Sequence, residues 1–247
     1  MRRGGWFGIV LALCLALALT FLTVPVAAIF AHSTPRDLVS TLGDRSSLDA
    51  LWLSLRTTAV SMAIILAVGT PAAYLLATRS FRGKALVVTL VELPLVLPPA
   101  VAGIELSFTT AGVVVALTFV SSPFYVRQAM AAFAAVDRSL LDASRTLGAS
   151  EARGFLRVVI PVALPGLASG AALALGRALG EFGATLMFAG SFRGVTQTVP
   201  LAIYDRFSTD FDAALALSAV LVAVSAAILL AVKLVQGGAA LGGWQAE

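Results

Sequence analysis

Six apolar runs, each about twenty residues long, limit what this chain can fold into more than any other feature. They cover residues 6–31, 57–77, 85–103, 106–126, 164–188 and 213–235. A helix needs about 20 apolar residues to cross the hydrocarbon of a bilayer. In lipid, each backbone N–H and C=O must also be bonded within the protein, which helices do by themselves. Composition agrees: 59% of residues are hydrophobic and 12% are charged, against about half and a quarter in a soluble domain. The reading is an all-α integral membrane protein of about six transmembrane helices. It forms one domain over residues 1–247, with a core at 51–235.

The first run follows Arg2 and Arg3 and is about two dozen residues long. A secretory signal has an apolar stretch of about 7–15 residues, so this run is expected to be a retained anchor. Basic residues then orient the bundle. With the N-terminus inside, the cytoplasmic segments hold Arg2, Arg3, Arg79, Arg82, Lys84, Arg127, Arg138, Arg145, Arg153, Arg157 and Lys233. The outer segments hold only Arg36, Arg45, Arg193 and Arg206. Both termini are therefore expected on the cytoplasmic side.

Several function classes lose support. One cysteine, Cys14, and one histidine, His32, supply neither an intrachain disulfide nor a metal cluster. The net charge of +4 is concentrated on cytoplasmic loops, a membrane-orienting pattern that gives no support to a nucleic-acid partner. A phosphate-binding loop needs GxxxxGK[ST]. Here Gly83-Lys84 is followed by Ala85 and lacks the upstream glycine. The few ionisable groups inside the spans include no convergent catalytic set, so a membrane enzyme is disfavoured.

One segment stands apart. Residues 137–161 read DRSLLDASRTLGASEARGFLRVVIP and carry seven formal charges between two apolar runs. Orientation puts them in the cytoplasm between spans four and five. The local pattern is helix–turn–helix. Asp137 can cap a helix over 138–147 and Ser150 a second one toward Ile160. Gly148 can take the left-handed conformation between them. Leu140, Ala143, Ser144 and Leu147 form a small stripe on the first helix, and Pro161 and Pro165 are expected to break or kink the chain at the membrane. From these features alone the segment is either a solvated loop or a docking element.

The segment resembles the EAA loop of bacterial ABC-importer permeases. That pattern is Glu-Ala-Ala, three residues, Gly, nine residues, then Ile-x-Leu-Pro. This chain has Asp142-Ala143-Ser144, Gly148 and Val158-Val159-Ile160-Pro161 at the same spacing. The resemblance implies a coupling helix that seats in a groove on a separate ATP-binding cassette ATPase, with Asp142, Ala143, Ser144, Gly148 and Pro161 as the coupling residues. It implies no cofactor in this chain, ATP and magnesium being held by the partner. It also implies a permease homodimer in the bacterial inner membrane and an extracytoplasmic oxyanion-binding protein that delivers substrate.

Residues 92–103 (ELPLVLPPAVAG), 164–190 (LPGLASGAALALGRALGEFGATLMFAG) and 196–207 (TQTVPLAIYDRF) resemble molybdate or tungstate permeases. Sulfate or thiosulfate permeases are the related alternative. Within the spans, Arg177 and Glu181 stand four apart and can pair on one helix face. Both, with Glu92, are candidate pathway residues or members of structural ion pairs. Gly166 and Gly170, and Gly176 and Gly180, offer small faces for close helix packing. Only Ile104 and Glu105 separate the third run from the fourth, where related permeases carry a longer outer segment. The chain thus resembles a shortened permease, either conducting or able only to bind its ATPase.

Overall fold

The computed structural model describes residues 5–95 and 106–242. Among them every regular element is helical. α1 (Gly5–His32) is exposed along nearly its whole length and packs mainly against the C-terminal helix α11 (Phe211–Gly242). The short α2 (Pro35–Gly43) begins in a capping box: the Asp37 N–H donates to the Thr34 hydroxyl at 3.3 Å, and the Thr34 N–H donates to Asp37 at 3.0 Å. Such reciprocal bonds satisfy the donors that a helix start leaves free. α3 (Arg45–Thr78) follows under the Asp44 cap.

The centre of the bundle is α5 (Thr110–Ala134), held between α3 and α8 (Ile160–Leu179). Small residues make this possible, because helices in lipid associate by close packing. A Cβ on Gly69 of α3 would stand 3.0 Å from the Tyr125 ring. One on Gly166 of α8 would stand 2.5 Å from the Ala132 Cβ, and one on Gly170 would stand 3.0 Å from the Gln128 Cβ. Two polar contacts cross the seam between α3 and α5. Ser61 donates to the Val114 carbonyl at 3.0 Å, and the Thr70 and Tyr125 hydroxyls are 2.6 Å apart. The largest buried apolar cluster joins Ile65, Ala73 and Leu76 to Tyr125, Val126, Ala129 and Phe133, and both groups to Val159, Ala163 and Leu167.

Five described helical stretches are long and apolar enough to span a membrane: Gly8–His32, Arg45–Thr78, Thr110–Ala134, Glu151–Leu179 and Phe211–Leu234. The expected third span, 85–103, is described only as α4 (Lys84–Glu92) and a 3₁₀ turn (Leu93–Leu95). Nine α-helical residues rise about 13 Å, and the rest of that span lies outside the described residues. Span four starts and ends later than expected, at Thr110 and Ala134, because Ala129–Ala134 continues the apolar helix beyond Arg127 and Gln128.

Span five also differs. It is not one rod over 164–188. A continuous helix runs over Glu151–Leu179, turns at Gly180 and resumes as α9 (Gly183–Ala189). The Glu181 carboxylate accepts the Ala184 N–H at 2.6 Å, so a side chain takes the place of a backbone acceptor where the ladder breaks. Gly176 and Gly180 do not repeat the close packing of Gly166 and Gly170. Their nearest contacts are an ordinary 3.9 Å to Leu229 and 3.7 Å to the Gly176 carbonyl. Short α10 (Val199–Phe207) then packs between α3 and α11.

Candidate coupling segment and membrane-embedded charges

The charged segment over residues 137–161 is built by local chemistry. α6 (Arg138–Thr146) starts at Asp137, whose carboxylate accepts the Ser139 N–H at 2.9 Å. These hydrogen bonds to Ser139, through backbone first and side chain second, hold the Asp137 carboxyl below its ordinary range. α6 ends in a complete Schellman motif. The Gly148 N–H reaches the Arg145 carbonyl at 2.9 Å, and the Ala149 N–H reaches the Ser144 carbonyl at 3.0 Å. Gly148 sits at φ +79°, where a side chain is strained. Ser150 then caps α7 (Glu151–Gly154) by accepting the Arg153 N–H at 3.4 Å.

Beyond α7 the helix neither breaks nor ends at Pro161. It widens into a π-helical turn, Phe155–Val159, and continues as α8. The Ile160 N–H bonds the Phe155 carbonyl. Pro161 has no N–H, and its ring would crowd the Arg157 carbonyl in a regular α-helix. One wider turn relieves that conflict. The turn is anchored by aromatic packing: Tyr74 of α3 stacks on Phe155 at 4.5 Å and meets Phe133 of α5 at 5.4 Å. The turn is thus in contact with both α3 and α5.

The expected stripe on α6 is divided. Leu140, Ala143 and Leu147 are exposed, with Leu147 88% exposed. Ser144 faces inward instead. It lies against Gly154, where a Cβ would stand 3.1 Å from its hydroxyl. The small residues at 144 and 154 thus close the two arms of the loop on each other, and the outward face is left to the other three side chains. Asp142 pairs with Arg145 at 3.1 Å, and Arg145 with Glu151 at 3.5 Å. Arg79, at the end of α3, reaches Glu151 at 3.8 Å. All are more than half exposed, so each pair contributes about 0–1 kcal/mol and mainly sets orientation.

The three candidate pathway residues fall into two ion pairs. Arg177 and Glu181 meet at 2.5 Å, as their spacing suggests, with Glu181 buried and Arg177 partly exposed. Glu92 is paired with Arg127 at 3.4 Å. Sequence reading assigned Arg127 to a cytoplasmic loop. It lies within α5, which the apolar stretch from Ala129 to Ala134 carries on past it.

A third polar group, at the start of α3, was also not anticipated. Arg206 of α10 donates to Asp44 and Ser46 at 2.5 Å and to Ser47 at 2.8 Å. The Ser46 hydroxyl, followed by Arg206 and Ser47, holds the Asp44 carboxyl well below the usual carboxylate range. This clamp ties α10 to the start of α3. Nearby, Phe108 occupies a left-handed conformation, φ +63°, and its ring packs edge-on against Phe192 at 5.6 Å. Close approach of the Leu106 carbonyl to Gly112 leaves no room for a Cβ there. The turn into α5 is therefore tight, and it uses residues 106–109 that had been expected to belong to the span.

Comparison with known proteins matches this architecture. The profile described as "Binding-protein-dependent transport system inner membrane component" matches residues 69–238. The Mycobacterium tuberculosis "Molybdenum transport system permease protein ModB" is 40% identical over 237 residues, covering 87% of this chain and 89% of the relative. The Pyrococcus abyssi "Molybdate/tungstate transport system permease protein WtpB" is 34% identical over 231 residues, covering 90% of this chain and 92% of the relative. A chain of the crystal structure of a bacterial alginate ABC transporter, in complex with an alginate pentasaccharide-bound periplasmic protein, superposes with a TM-score of 0.70. It does so at 15% identity, over 95% of this chain and 93% of the other. A chain of the inward-facing MetNI methionine ABC transporter gives 0.61 at 21% identity, over 78% and 95%. These structures share the fold. The chain belongs to the family of inner-membrane components of binding-protein-dependent transport systems.

Proposed function

We propose that this chain is the permease subunit of an ATP-driven importer of molybdate or tungstate. The carrying observation is similarity of 34–40% over about nine-tenths of the chain to relatives named for molybdenum, molybdate or tungstate transport. Two copies pair to enclose the pathway, with lipid on their outer faces and both termini in the cytoplasm. ATP and magnesium are held by a separate ATPase, and this chain hydrolyses nothing itself. An extracytoplasmic binding protein supplies the oxyanion.

The coupling element is residues 137–161. Gly148 sets the turn, Asp142 orients Arg145, and Ser144 closes the loop internally. Leu140, Ala143 and Leu147 present the docking face, and Pro161 sets the wider turn that joins the loop to α8. Arg177, Glu181 and Glu92 belong to the pathway region. A fixed cation that bound a divalent anion tightly would slow its release, so carboxylate partners beside the arginines suit passage better than capture.

The test begins with co-purification of the ATPase by the native chain and by Gly148→Asp. Capture by the native chain alone supports the coupling role, and equal capture by both removes Gly148 from it. Uptake of labelled molybdate by the assembled complex, competed by tungstate and by sulfate, then tests the substrate. Competition by sulfate alone would overturn the molybdate assignment, and absence of uptake in a complex that docks would mean the shortened permease does not conduct.

A further inference from the structure

We propose that Arg127 is an anion contact on the water-facing wall of the pathway, in the cytoplasmic half of the membrane. The inference rests on the oxyanion-permease reading above. Arg127 lies within α5, seven residues before its end at Ala134, which is about 10 Å along the helix axis. Its one carboxylate neighbour among the described residues is Glu92 at 3.4 Å, and 61% of its side chain is still exposed. A charged side chain at this depth does not face hydrocarbon; it faces protein or water.

The surroundings favour water. A cleft of about 390 Å³ opens beside it, lined by Pro123, Phe124, Arg127, Gln128, Ala131 and Leu173. Its polar side chains, Arg127 and Gln128, are adjacent on α5. On α8, Arg177 stands one turn beyond Leu173 and is 36% exposed. Leu173 lines the cleft, and Arg177 follows it on the same face of α8. The close approach of Gly170 to Gln128 keeps α5 and α8 in register there.

The chemistry fits a tetrahedral oxyanion. A guanidinium offers paired donors in a rigid fork, suited to two oxygens of one anion. Glu92 offsets part of that positive charge. The ion is attracted past the bilayer interior and is still able to leave, as conduction requires.

The experiment uses the full complex of permease, ATPase and binding protein in liposomes, with labelled molybdate as the probe. Arg127→Ala is expected to lower uptake about tenfold, with ATP hydrolysis stimulated by loaded binding protein changed less than about twofold. Arg127→Lys retains more uptake than Arg127→Ala. The double variant R127Q/E92Q separates the two roles of the charge: a structural ion pair predicts that it restores uptake, and a pathway contact predicts that uptake stays low. In a Cys14→Ser background, Arg127→Cys is expected to react with a charged, membrane-impermeant thiol reagent and to be protected by excess molybdate. Restored uptake in the double variant, or no reaction at position 127 in the assembled complex, would overturn the proposal. If position 127 reacts but the native complex imports neither molybdate nor tungstate, the substrate reading fails, and with it the ligand named here.

Discussion

Gly166 of α8 faces Ala132 of α5 so closely that a Cβ at 166 would lie 2.5 Å from the Ala132 Cβ. Neither atom is the end of a flexible side chain, so relief requires the two helices to separate. Gly166→Ala is expected to destabilise the protein by about 1–3 kcal/mol. Ala132→Gly in the same chain should recover most of the loss. Thermal unfolding of the four proteins in detergent checks this, and additive losses in the double variant would contradict the contact.

At Gly148 the space is open and only the backbone objects. Nothing lies within 4 Å of a Cβ there, but φ is +79°. Gly148→Ala should cost about 1 kcal/mol, confined to the end of α6, and Gly148→Asn less, because asparagine tolerates this conformation. Hydrogen exchange should show faster opening of the Gly148 and Ala149 amides with protection of α3 and α5 unchanged. Uniform loss of protection across the bundle would mean that the turn supports the whole fold.

Leu147 is 88% exposed beside the Schellman turn. Leu147→Ser should change stability by less than about 0.5 kcal/mol, as surface substitutions do. It should weaken capture of the ATPase about tenfold, the effect of removing an apolar anchor from an interface. Full capture by Leu147→Ser would move the docking face elsewhere on the loop.

The Asp44–Arg206 clamp gives a pH prediction with a definite sign. Its carboxyl pKa is depressed from the ordinary 3.8. A depressed carboxylate contributes stability that is complete above its ordinary pKa and is lost only as pH falls through the lower, folded-state value. Acidification from pH 7 to pH 5 should therefore leave the clamp intact. Asp44 is about half exposed, so Asp44→Asn should cost about 1 kcal/mol after solvent screening. The stability difference between the native chain and Asp44→Asn should be the same at both pH values, and a difference that shrinks at pH 5 would show that the clamp titrates earlier.

Much of the architecture was legible from residues alone, because the forces behind it are local. Five of the six apolar runs mark helices long and apolar enough to span a membrane. The Schellman turn at Gly148 and the caps at Asp137 and Ser150 depend on neighbours a few residues away. The Arg177–Glu181 pair is a consequence of helical spacing.

Other features depended on what meets what in space. A count of apolar residues stopped span four before Arg127, although packing carries the helix on to Ala134 and gives that arginine Glu92 as a partner. Pro161 reads as a break, yet aromatic packing by Tyr74 and Phe133 holds Phe155 in a helix that absorbs the proline by widening. Ser144 reads as part of an outward stripe until Gly154 folds against it. Arg206 reads as a loop charge until α10 brings it to Asp44, some 160 residues earlier in the chain. Sequence by itself determined the helices, their caps and the glycine turn at 148, since each depends on hydrogen bonds and burial within a few residues. Tertiary structure alone decided which charges distant in sequence pair and which face of each helix is closed, because desolvation depends on neighbours that local sequence does not name.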